Sequence, residues 1–155
     1  MKLSTKGRYG LKAMIDIGIY AKEKPRSLKS VSKRLDISES YLEQLLSKLR
    51  KENLVKSTRG SKGGYVLAKD AEQITVGDIL RALEGSLAPT KCSCETSGCN
   101  CTKCCGQNDS NGKCATKSVW DKMRNGINAV VDNIYLSELI LDYEKVGNNN
   151  DMETL

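Results

Sequence analysis

All seven cysteines of this 155-residue chain fall between Cys92 and Cys114. Thiolates are soft, anionic donors. Cys92-x-Cys94, Cys99-x-Cys101 and Cys101-x-x-Cys104 are spacings at which two of them from one loop reach one ion. Three chemistries stay open: an iron–sulfur cluster, a cysteine-only zinc or copper(I) site, and a metal-free thiol switch. A disulfide framework is the least expected of the uses in a reducing compartment. The chain has no histidine, which removes histidine-based acid–base chemistry, Ser-His triads and imidazole ligands. Cys101-x-x-Cys104 also has the spacing of a thiol oxidoreductase. It does not open a helix after a strand, where its thiolate would be activated, so no enzyme is expected.

A second chemistry is written in charge. Residues 1–70 carry 17 Lys+Arg against 7 Asp+Glu, a balance of +10, and residues 71–155 carry 8 against 12, a balance of −4; together they give the net +6. A basic half joined to a mildly acidic half fits a phosphate-binding head and a separate regulatory tail. Apolar runs are too short to span a bilayer. Met1-Lys2-Leu3-Ser4-Thr5 lacks the apolar stretch of a secretory signal, so a cytosolic location is expected.

The elements that must position these groups follow from periodicity. A helix over 4–21 carries Leu11, Met14, Ile15, Ile17, Gly18 and Ile19 and should be largely buried. Lys24-Pro25 ends it. Ser27 caps a short helix with Leu28, Val31 and Leu35 on one face, and Asp36-Ile37-Ser38 turns into a third over 39–52. That third helix keeps Leu42, Leu45, Leu46 and Leu49 inward and Ser40, Glu43, Gln44, Ser47, Lys48 and Arg50 outward, as in a helix-turn-helix. Leu54–Thr58 and Tyr65–Leu67 read as a hairpin around Arg59-Gly60-Ser61-Lys62-Gly63-Gly64, a wing with a basic tip.

Thr75 caps a helix over 76–84 that Gly85 ends. After the cysteines, Val119, Trp120, Met123, Ile127, Val130, Val131 and Ile134 recur at three- and four-residue steps. They predict an amphipathic helix with a near-heptad seam, suited to dimerisation. A short helix over 136–143 precedes a polar tail. The expected fold is mainly α with a small β-hairpin wing: a winged helix-turn-helix over 1–85, a cysteine-rich loop over 86–115, a dimerisation helix and short C-terminal helix over 116–146, and a disordered tail over 147–155.

Ser38, Ser40, Glu43 and Gln44 in the first turns of the third helix suit base edges in a major groove. Lys48, Arg50 and Lys51 suit phosphates, which add affinity and salt dependence without sequence information. At the wing, Lys62 adds charge and Arg59 suits a narrow minor groove.

Met1-Lys2-Leu3-Ser4-Thr5-Lys6-Gly7-Arg8-Tyr9-Gly10, Ser40-Tyr41-Leu42-Glu43-Gln44-Leu45, Arg59-Gly60 and Gly63-Gly64-Tyr65 together resemble the bacterial winged-helix regulator family that contains IscR, CymR and NsrR. The resemblance covers residues 1–92 and 113–143; it is nearest to an IscR-type iron–sulfur regulator, with a CymR-like DNA-binding half. It implies homodimers with crossing C-terminal helices that bind double-stranded DNA. Ser40, Glu43 and Gln44 would then read bases beside Tyr41, with Glu43 discriminating between operators, and Arg59 would enter the minor groove. Control of iron–sulfur assembly or cysteine-metabolism genes is implied.

The same resemblance aligns Cys92 with the first cluster ligand and Cys114 with the third. Cys99, Cys101, Cys104 and Cys105 compete for the middle place, with Cys104 or Cys105 favoured. The fourth ligand departs from the family pattern: Lys117 stands where IscR has a histidine, and Arg8 where NsrR draws an acid from the partner's first helix. Another cysteine, such as Cys94 or Cys101, would substitute, and both [2Fe–2S] and [4Fe–4S] stay open.

Overall fold

A computed structural model describes residues 4–22, 24–60, 62–90 and 116–152. Each N-terminal helix starts where a hydroxyl can satisfy an otherwise unpaired backbone donor. Ser4 caps α1 (Thr5–Tyr20), Ser27 caps α2 (Leu28–Leu35) and Ser38 caps α3 (Glu39–Lys51). Thr75 and Asp78 form a reciprocal capping box at the start of α4 (Val76–Glu84). Between α2 and α3 the chain turns at Asp36, which takes a left-handed conformation (φ 51°).

The hairpin pairs β1 (Val55–Thr58) with β2 (Gly64–Leu67), in register Val55↔Leu67 to Thr58↔Gly64. A feature absent from the sequence reading joins it. Arg26, just after Pro25, exchanges both backbone hydrogen bonds with Tyr65, at 3.1 and 2.8 Å. The approach is close enough that a Cβ on Gly64 would stand 2.3 Å from the Arg26 carbonyl oxygen, which accounts for glycine there. The wing is thus anchored to the segment between α1 and α2 as well as to α3.

Met14, Ile17, Val31, Leu42, Leu45, Leu46, Leu49, Val55, Ile74, Ile79 and Leu136 are fully buried in one core. Glycines on α1 let its neighbours close in. A Cβ on Gly10 would overlap Leu83 of α4. One on Gly18 would meet Ile140 of the last helix.

The C-terminal part differs from expectation. α5 (Lys117–Val131) is the predicted amphipathic helix, and none of its residues is buried within the chain. α6 runs Leu136–Met152, past Tyr143 and through part of the stretch read as a tail. Leu136 and Ile140 are pinned in the core against α1, and no proline follows to stop propagation from that nucleus. The α5–α6 junction is clamped to the start of α4 by Val76 N–H to the Ile134 carbonyl and Leu136 N–H to the Ile74 carbonyl. An Arg81–Asp132 ion pair adds to the clamp, and the hydrogen bond to Asp132 raises the Arg81 pKa further above its ordinary value.

Glu84, in the last turn of α4, accepts hydrogen bonds from the Ser4 hydroxyl, the Ser4 amide and the Gly7 amide. Burial alone would raise its pKa. The Ser4 and Gly7 donors, with the Lys6 charge, outweigh burial and hold it below the ordinary 4.5. A depressed carboxylate stabilises the fold above its unfolded-state pKa, and that contribution fades as pH falls through the folded value. Glu84→Gln keeps one acceptor, so it should cost about 1 kcal/mol at neutral pH. In thermal melts the gap from wild type should close as pH falls below 4.5; a gap that persists unchanged at pH 3 would contradict this role.

Candidate nucleic-acid interface

The outer face of α3 and the base of the wing enclose a groove of about 480 Å³ lined by Ser40, Glu43, Gln44, Ser47, Lys48, Arg50 and Tyr65. Ser40, Glu43 and Gln44 are exposed, while Leu42, Leu45, Leu46 and Leu49 bury the opposite face. An amphipathic helix backed by leucines holds these polar side chains at fixed pitch without committing them to the core. Arg50 donates to the Ser57 hydroxyl of β1 at 3.1 Å and so bridges the helix to the wing. Arg59 is exposed past the end of β1, and Lys62 is exposed in the turn that Gly63 N–H to the Gly60 carbonyl closes.

Besides Arg50, three of the predicted contact residues have structural partners. The Ser38 hydroxyl accepts from the Tyr41 amide at 3.2 Å, so it is engaged as the α3 cap rather than turned to the groove. Tyr41 is half-buried, stacked edge-on against Tyr9 with ring centroids 6.1 Å apart. Lys48 was expected on phosphate. In the free chain its ammonium donates to the Leu83 carbonyl of α4 at 3.2 Å. A lysine stem is long enough to cross to a helix C-terminus, whose partial negative charge attracts it.

The cysteine positions Cys92, Cys94, Cys99, Cys101, Cys104, Cys105 and Cys114 lie outside the described residues. Among the described residues, no group of three or more His, Cys, Asp or Glu could hold a metal ion. Also among them, no helix is long and apolar enough to cross a membrane.

Two supports escaped the sequence reading although each left a signal. Asp16 sits between Ile15 and Ile17 on a mostly apolar helix and is buried, so it needs a counter-ion. Arg34 of α2 provides it, through two bonds of 2.6 and 2.7 Å. Glu84 lies at a helix C-terminus, where a carboxylate opposes the dipole and therefore signals a partner elsewhere.

A helix-turn-helix followed by a hairpin wing, with the polar face of its second helix opening beside that wing, defines a winged-helix DNA-binding protein. The Rrf2 family model, described as an iron-dependent transcriptional regulator, matches residues 3–142, and the chain belongs to that family. It is 40% identical over 146 residues to the HTH-type transcriptional regulator IscR of Vibrio parahaemolyticus, covering 93% of this chain and 80% of that protein. IscR of Serratia proteamaculans is 40% identical over 140 residues, covering 90% and 79%. Among solved structures, T. potens IscR superposes with a TM-score of 0.72 at 43% identity, covering 94% of this chain and 90% of that one. CymR, the global cysteine regulator of B. subtilis, gives 0.70 at 39%, covering 90% and 96%. The chain is a transcription regulator, not an enzyme.

Proposed function

We propose that the chain acts as a homodimer whose two winged helices read an operator, and that its cysteine segment carries an iron–sulfur cluster. Control of iron–sulfur assembly or cysteine-metabolism genes follows from that reading. The groove between α3 and the wing is the observation that carries the DNA half. Within it Ser40 and Gln44 offer donors and acceptors to base edges, and Glu43 accepts from a cytosine amino group while repelling other acceptors. Arg59 and Lys62 stand exposed at the tip of the hairpin and suit a narrow minor groove, where the potential is most negative.

The donor set supports a thiolate-bound group. Cys92 and Cys114 flank the segment, and Cys101, Cys104 or Cys105 supplies the middle ligand. Arg8 is exposed on α1 and is a cation, so the fourth ligand falls to a further cysteine such as Cys94. When bound, the cluster supplies a redox- and iron-sensitive centre. The protein's own part is to join that segment to α4 at one end and to α5 at the other.

Anaerobic purification should give a brown protein with iron matched by acid-labile sulfide, and Cys114→Ser should lose both while its winged helix still binds DNA with a steep salt slope. A colourless wild type, lacking both elements after reconstitution, would remove the cluster and leave the regulator. The likeness to CymR, a cysteine regulator, at 39% identity, with the paired spacing of Cys92 and Cys94 and of Cys101 and Cys104, favours one other reading, a thiol- or Zn/Cu(I)-responsive regulator of cysteine metabolism. Zinc or copper in the colourless protein would establish its metal form.

A further inference from the structure

The last turn of α4 is where three parts of the chain meet. The Leu83 carbonyl is one of the acceptors that a helix leaves unpaired at its C-terminus, and Lys48 Nζ fills it from α3. Leu83's side chain occupies the notch that Gly10 leaves on α1. The next residue, Glu84, holds the Ser4 and Gly7 amides at the start of α1. Gly85 then ends the helix with φ 82°, and Leu87 is buried beside Val76 and Leu80, five residues before Cys92.

We propose that Lys48 is a positioning residue for DNA reading: it ties the recognition helix to the C-terminal turn of α4. Gln44 lies four residues earlier, one helical turn along the same side of α3, and Glu43 is its neighbour. The pitch of these two side chains therefore follows the point at which the chain leaves toward the cysteines. The tether stands on its own contacts; only its use as a signal route rests on the cysteine segment being the sensor.

Lys48→Met retains the stem and removes the ammonium, and Lys48→Arg restores a donor. Operator affinity is titrated over a range of salt concentrations, and amide hydrogen exchange is followed in the free protein. Lys48→Met should weaken binding about three- to tenfold at every salt concentration with an unchanged slope, and should speed exchange by a similar factor in the last turn of α4 and the second half of α3. Lys48→Arg should restore both.

A slope smaller by about one unit would instead mark a lost phosphate contact and overturn the proposal. Exchange at the wild-type rate, or no rescue by arginine, would overturn it equally. Running cluster-loaded and cluster-free wild type in the same titration separates the two readings. Equal affinities would end the sensor reading and leave slope and exchange to decide the role of Lys48.

Discussion

Asp16→Ala should destabilise the fold by about 3 kcal/mol, the lower end of what removing one partner of a buried ion pair costs. For a chain of this size that lowers Tm by about 6–12 °C. Asp16 is only 7% exposed, and both of its oxygens accept from Arg34, whose side chain is 32% exposed. Partial exposure of the arginine is what keeps the expected loss at the low end, because the guanidinium left behind can still recruit water. Arg34 also donates to the Ser30 hydroxyl and lies 4.6 Å from the Tyr20 ring centre. Its hydrogen bond to Asp16 raises its pKa further above the ordinary value.

The pair joins α1 to α2, and α2 supports α3, so loosening it should also weaken operator binding. Asp16→Leu combined with Arg34→Met should recover most of the stability, since an apolar pair of similar volume has no charge to desolvate. Chemical denaturation of the two single variants and the double variant measures this. A loss below about 1 kcal/mol for Asp16→Ala would show that the bridge contributes no more than a surface pair.

The helices were legible in the sequence because their caps and apolar spacing agreed. Ser27, Ser38 and Thr75 each bond the backbone where their positions predict, and Leu42, Leu45, Leu46 and Leu49 bury the face that their period defines. Partnerships between distant segments were not legible. Arg26 pairing with Tyr65, Asp16 with Arg34, and Lys48 with the Leu83 carbonyl span 39, 18 and 35 residues, and no local period encodes such contacts. Lys48 illustrates the limit well. Its polar position on an outward helix face reads as a phosphate contact, and no local period shows that α4 ends within its reach. The end of α6 was less legible: the helix runs to Met152 through an asparagine-rich stretch of poor intrinsic propensity, where a reading by propensity stops earlier.

Met123→Glu should convert the protein to monomers and cost at least about 100-fold in operator affinity, because two linked half-site contacts become independent events. The single chain leaves apolar side chains of α5 exposed. Val119, Met123 and Val130 on α5 are 50%, 46% and 60% exposed. Toward its C-terminal end α5 turns Ile127 and Val131 onto the small cluster around Val76, Leu80 and Leu87. The helix is therefore held by its own chain toward its C-terminal end and leaves Val119, Met123 and Val130 exposed, at about 1.5 Å per residue over its 15 residues. A second α5 crossing this seam would bury the exposed side chains of both copies, and a glutamate in it would set like charges against one another in an apolar contact.

Because Met123 is already half-exposed in the single chain, the variant should keep its helical content and unfold cooperatively. Light scattering should then read 17.0 kDa instead of twice that mass. A Met123→Glu protein that stays dimeric with wild-type affinity would exclude this seam. The exposed Leu141, Tyr143 and Val146 of α6 would then be the next face to test, and Arg81–Asp132 would matter only as a strut within one chain.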